Sequence, residues 1–212
     1  MKKATKLLCL LIIISFVLPI CACGAPKLEE VKERFQTLIE ASAPINRIFF
    51  GEGLPTYARN SDYAKEHRIY DDLESGYDFY EIVVTDEKWA DVQSIKNAAE
   101  QVYSRDYLEG IYTMAFDGVA DENTGDVTTA RYLESGRFLL RYAYGETDTF
   151  DILRGKERRY LFDTMKIHRS STSRYVNITI DSYLVGDEEN VLSVRLRFVR
   201  QDGEWFLDSP TY

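Results

Sequence analysis

Two histidines, His67 and His168, are the residues of this 212-residue sequence whose type most often serves acid–base chemistry at physiological pH. Neither has a second His or a Cys at metal-ligand spacing. His168 ends a strand-like run, Met165-Lys166-Ile167-His168, and His67 lies in a tyrosine-rich stretch; both read as solvated or core histidines. Asp163 precedes His168 by five positions, which puts the two on opposite sides of a regular strand and argues against a dyad. Three acidic runs carry oxygen ligands: Asp71 to Glu74, Asp121 to Asp126, and Asp187 to Glu189. The middle run has a glycine but lacks the EF-hand spacing and its closing Glu, so it reads as a polar loop between a helix and a strand. The last run, within Gly186 to Asn190, reads as a hairpin turn. Gly51-Glu52-Gly53 is not followed by the Lys-Ser or Lys-Thr of a phosphate loop. No Gly-x-Ser-x-Gly exposes a serine nucleophile. The sequence therefore predicts a chain with no catalytic residue, no cofactor and no metal site.

Tyrosine is the strongest compositional signal, with 15 in the chain. Tyr57, Tyr63, Tyr70, Tyr77 and Tyr80 fall in one loop-rich stretch. Each offers a large contact area, little entropy to lose and a hydroxyl, which suits a surface that recognises a protein or a glycan. The same rings could equally staple an irregular segment onto the domain. Both readings stand on the sequence alone.

All three cysteines, Cys9, Cys21 and Cys23, lie at the N-terminus. Lys2, Lys3 and Lys6 precede an apolar run from Leu7 to Ile20, which has 14 residues where a bilayer span needs about 20. Basic start, short apolar core and the small residue Ala22 make a secretory signal. Ile20-Cys21-Ala22-Cys23 resembles the bacterial lipobox, with Ile20 and Cys21 as departures from its preferred Leu and Ala or Ser. The resemblance implies cleavage after residue 22 and a diacylglycerol on Cys23. The mature chain of 190 residues then has no intrachain disulfide and no free thiol. It would be held to the outer face of a bacterial cytoplasmic membrane by the lipid on Cys23. Only Gly24, Ala25, Pro26 and Lys27 separate that anchor from the first helical pattern, a reach of at most about 14 Å. Loss of residues 1–22, which hold three lysines and no acid, takes the net charge from −9 to −12. Such a domain is repelled by nucleic acid and by anionic lipid surfaces.

Leu28, Val31, Phe35, Leu38 and Ile39 predict an amphipathic helix that Pro44 interrupts, with a further apolar turn at Ile45, Ile48 and Phe49. Residues 51–77 keep no period and read as an ordered loop or short turns. Phe79 to Thr85 suits a short strand. Val92 to Tyr103 predicts a helix, and Ser104 caps another that Gly118 stops. From about residue 127 the period becomes two: Phe138 to Tyr144, Tyr160 with Phe162, Val176 to Ile180, and Val194 to Phe198. A turn is expected at Glu134-Ser135-Gly136, and Asp202-Gly203 marks a hairpin into Trp205-Phe206-Leu207. Helices followed by strands mean α+β, in one domain over residues 28–212.

This order, with the closing hairpin Leu196 to Asp208, resembles the NTF2-like and cystatin-like folds, in which N-terminal helices pack on a curved antiparallel sheet. The length, acidic balance and exported location are also faintly similar to cell-wall DL-endopeptidase inhibitors of the IseA type. The chain is therefore expected to be a non-enzymatic binding module at the cell envelope, with an envelope protein or cell-wall glycan as partner. The alternatives are an inhibitor of a cell-wall endopeptidase and an enzyme with an NTF2-like pocket.

Overall fold

A computed structural model describes residues 24–120, 127–128, 130–143 and 156–212. Cys23, the segment before it, the acidic run Asp121 to Asp126 and Tyr144 lie outside the described residues. The first element among the described residues is the helix α1 (Leu28–Phe50). It does not stop at Pro44, contrary to the expectation from sequence. Proline inside a helix costs about 3 kcal/mol. Ile45, Ile48, Phe49 and Phe50, all buried beyond it, each return about 1.5–3 kcal/mol by staying in the core. Burial on the far side therefore outweighs the lost backbone bond.

The 51–77 stretch contains a two-residue strand, β1 (Thr56–Tyr57), and a short helix, α2 (Asp62–Glu66). Then come β2 (Tyr80–Val83), α3 (Val92–Glu100) and α4 (Arg105–Tyr112). Asp91 caps α3 by accepting from the Ser94 N–H at 2.6 Å, and Ser104 caps α4 by accepting from Tyr107 at 3.1 Å. A π-turn over Thr113–Asp117 extends α4 until Gly118, at φ +74°, ends it. The strands β3 (Val119–Ala120) and β4 (Val127–Thr128) pair with each other. The hairpin of β5 (Tyr132–Ser135) and β6 (Phe138–Tyr142) turns at Gly136 and Arg137, so Glu134 and Ser135 are strand rather than turn.

The remaining strands, β7 (Arg158–Ile167), β8 (Tyr175–Leu184), β9 (Asp187–Gln201) and β10 (Glu204–Leu207), form an antiparallel meander. Asp202 and Gly203, both at positive φ, make the last turn as their sequence requires. The turn before β9 is only Val185-Gly186. Asp187 to Asn190 count with β9, across a shift in its register with β8, instead of forming the expected polar turn.

The class is α+β, with two four-stranded antiparallel sheets among the described residues: β1-β2-β6-β5 and β10-β9-β8-β7. A single cluster of buried side chains joins α1, α3 and α4 to one face of each sheet. Phe35 of α1 stacks on Phe198 of β9 with ring centroids 3.7 Å apart, and Trp205 of β10 meets Phe35 edge-on. The opposite face of the first sheet, Tyr80, Ile82 and Leu140, carries a second, smaller cluster.

Candidate binding cleft

That second cluster is where the tyrosine-rich stretch goes. Tyr57, Tyr70 and Tyr77 pack against it together with Ile69 and Leu73. Tyr80 is 6% exposed and donates from its hydroxyl to the Ala130 carbonyl at 3.0 Å. Burial raises its pKa to about 12. The Tyr70 hydroxyl donates to the Tyr57 carbonyl and accepts from the Ile82 N–H, bridging the segment to β2. Arg59 donates to the carbonyls of Tyr77 and Tyr80 at 2.7 and 2.8 Å, and its guanidinium lies over the Tyr70 ring. Of the five singled-out tyrosines, Tyr63 stands out at 52% exposure, stacked between Tyr57 and His67. A hollow of about 320 Å³ opens beside Tyr57 and His67, but both of its cations are neutralised, Arg68 by Asp71 and Arg137 by Asp72.

The loop before this segment is held as firmly. Arg131 donates to the Ile48 carbonyl at 2.8 Å and to that of Gly51, at the carbonyl-bearing end of α1 where a cation is favoured. Arg141 donates to the carbonyls of Glu52 and Leu54. Gly53 sits at φ +73°, and a Cβ there would come within 2.8 Å of Arg141 and 2.9 Å of the Tyr132 hydroxyl. The glycine pair is thus a packing device.

The histidines take no part in a shared site. His67 lies on the surface with Nδ1 2.9 Å from the Tyr63 carbonyl. His168 has Nδ1 2.8 Å from Ser170 Oγ, while Asp163 pairs with Lys32 at 3.1 Å. Among the described residues, no group of three or more His, Cys, Asp and Glu could hold a metal. No described helix is long and apolar enough to cross a membrane.

A larger cleft lies elsewhere, between α1, the start of β7 and the chain's last residues, with a volume of about 490 Å³. Its polar floor comes from the buried side of α1. Ser42 donates to the Ile39 carbonyl at 2.6 Å, which leaves Thr211 to donate to Ser42 at 2.6 Å. Asn46 donates to Thr211 Oγ1 at 2.7 Å and accepts from the Tyr103 hydroxyl at 2.7 Å. Tyr160 donates to the Thr211 carbonyl at 2.8 Å. Every polar group of this layer has a partner, so it holds its shape without a ligand. Burial raises the Tyr103 pKa to about 12, and also raises that of Tyr160, so both are neutral at physiological pH.

Around this layer the lining divides. Ile39, Tyr160, Phe162, Leu184 and Tyr212 give apolar surface. Arg47, Lys156, Arg158 and Arg159 outnumber Glu40 and Glu157 at the mouth. Arg159 is spent on Glu157 at 2.8 Å, and Glu40 accepts from Gln36 at 2.9 Å. Arg158 donates to the neutral Ser182 hydroxyl at 2.9 Å. Among the described residues, Arg47 and Lys156 have no ion pair. Among the described residues, a protein of net charge −9 thus opens this cleft under a positive mouth.

Sequence reasoning missed this cleft, although a signal exists: Ser42 and Asn46, four apart, are polar residues on the apolar stripe of α1. The arrangement can bind but shows no activated nucleophile and no paired acid and base. Comparison with family models, with curated proteins and with solved structures finds no match for this chain in any of the three.

Proposed function

We propose that this chain is a lipid-anchored, non-enzymatic binding module on the outer face of a bacterial cytoplasmic membrane, and that the cleft beside α1 takes a small ligand. The single observation that carries the binding reading is the cleft itself. Its 490 Å³ falls within the range of about 300–1,000 Å³ common to ligand pockets, and a self-satisfied polar layer forms its floor. The anchor rests on the lipobox resemblance at Cys23 and on the short tether that follows it. For the fold we propose the NTF2-like or cystatin-like arrangement, supported by α1 lying against the β7–β10 meander through Phe35 and Phe198.

The test is native mass spectrometry of the chain taken from its own membrane into nanodiscs. The reading expects extra mass from a small molecule in addition to the lipid on Cys23. Ala43 lines the cleft and is exposed. Ala43→Trp should fill the cleft and remove that extra mass, while the lipid stays. A small-molecule adduct that survives Ala43→Trp would place the ligand elsewhere.

A further inference from the structure

The lining of the cleft specifies more than that something small binds. Its apolar patch, Ile39, Tyr160, Phe162 and Tyr212, is continuous with the buried face of α1 and the sheet. An all-polar ligand would leave that patch facing water, and a purely apolar one would bury the mouth cations without partners, which is costly. The two cations without an ion pair, Arg47 and Lys156, come from different elements and face one opening. Arg158, whose described partner is a neutral hydroxyl, adds a third positive group. Away from this mouth, Lys32, Arg68, Arg105, Arg137 and Arg197 pair with acids. On a chain with 35 acids to 26 bases, a cationic mouth with no ion pair to Arg47 or Lys156 among the described residues is a place for a ligand's negative charge.

We propose that the cleft binds an amphipathic anion: a compact apolar body with one carboxylate, phosphate or phosphodiester group. The body lies against Ile39, Tyr160, Phe162 and Tyr212, and the anion sits between Arg47, Lys156 and Arg158. This rests on the cleft being the binding site. Anionic membrane lipids and soluble amphiphiles share this chemistry. The cleft's volume matches one short chain or ring system, so a bilayer lipid would enter it by its headgroup and part of one chain.

The experiment is calorimetric titration of octyl phosphate into the full chain held in phosphatidylcholine nanodiscs, with empty nanodiscs subtracted. Octylammonium and octanol serve as probes of the other charge states. The proposal expects octyl phosphate to bind and the other two to bind at least about tenfold more weakly. Arg47→Glu with Lys156→Glu should cost octyl phosphate at least about a hundredfold in affinity, because two charge-assisted contacts become repulsive. Arg47→Lys should keep most of it. Both positions are exposed, so each variant should still melt cooperatively, those with Arg47→Glu slightly below the parent because an acid enters the last turn of α1, and the melt separates lost binding from lost folding. Repeating the titration in nanodiscs containing phosphatidylglycerol distinguishes the sources. Competition assigns the ligand to the leaflet, and its absence assigns it to a soluble amphiphile; either supports the anionic class. Equal binding of all three probes, or octyl phosphate binding that ignores the double charge reversal, overturns the class. If native chain carries an adduct lost in Ala43→Trp but octyl phosphate gives no heat, the ligand class fails and the cleft reading stands. If neither is seen, both fail.

Discussion

The tyrosine-rich stretch from residue 51 to 80 and the cleft beside α1 are built from similar side chains and use them in opposite ways. In the first, tyrosine hydroxyls and arginine forks point inward. Tyr70 bridges Tyr57 to Ile82, Tyr80 reaches Ala130, and Arg59 holds two carbonyls. The cations at its hollow already have acids. In the second, the tyrosines close a polar layer beneath the surface, while Arg47 and Lys156 have no ion pair among the described residues. Aromatic density alone therefore does not mark a recognition surface. What matters is whether the polar groups around the rings are already used.

The sharpest way to separate the two regions is Tyr80→Ala. It empties a buried aromatic site under the 51–77 segment and should cost about 3–4 kcal/mol, read as a fall in the urea midpoint. Ligand binding in the cleft, measured on the fraction still folded, should not change. Loss of both together would mean that the segments are one unit.

The next largest effect is alkaline. The folded pKa of Tyr103 is raised to about 12 from an ordinary value of 10.0. Its contribution is thus fully present below pH 10 and is lost as pH rises through 12, amounting to about 3 kcal/mol for this largely buried group. Denaturant midpoints should be flat from pH 8 to 9.5 and fall between 10 and 12. Tyr103→Phe should lower the starting stability and flatten that fall. An unchanged slope in the variant would assign the alkaline loss to other groups.

The smallest effect distinguishes the exposed ring from the buried ones. Tyr63→Ala, at a side chain with half its surface free, should move stability by no more than about 0.5 kcal/mol. It should also leave the cleft's affinity within about twofold. Tyr70 is a poor partner for that test despite lying close in sequence. Its ring and hydroxyl are structural, so Tyr70→Ala would confuse unfolding with lost capture.

Much of the fold was legible because local chemistry and final structure agree. The Ser104 cap, the stop at Gly118, the alternations Val176 to Ile180 and Val194 to Phe198, and the Asp202-Gly203 turn all depend on a few neighbouring residues. The rest was hidden where distant partners decide. The α1 helix crosses Pro44 because residues far along the chain bury Ile45, Ile48 and Phe49. The acids of Asp187 to Glu189 lie on a strand because Gly186, at φ +89°, completes the turn before them. Tyrosine suits surface and interior equally, so the fate of the 51–80 rings depended on the face of β2 and β6 they would meet. The cleft's own trace, Ser42 and Asn46 on an apolar stripe, looks like noise until Thr211 and Tyr103 arrive from elsewhere.

The central claim is that the open site is the cleft and that the tyrosine-rich segment is closed. The most direct measurement is to place a photoreactive diazirine side chain the size of leucine at position 184, in the cleft lining, or at position 63 and irradiate the chain in its own membrane. The account predicts a small-molecule adduct at position 184 and none above background at position 63. Adducts confined to position 63 would contradict it and return the binding surface to the tyrosines.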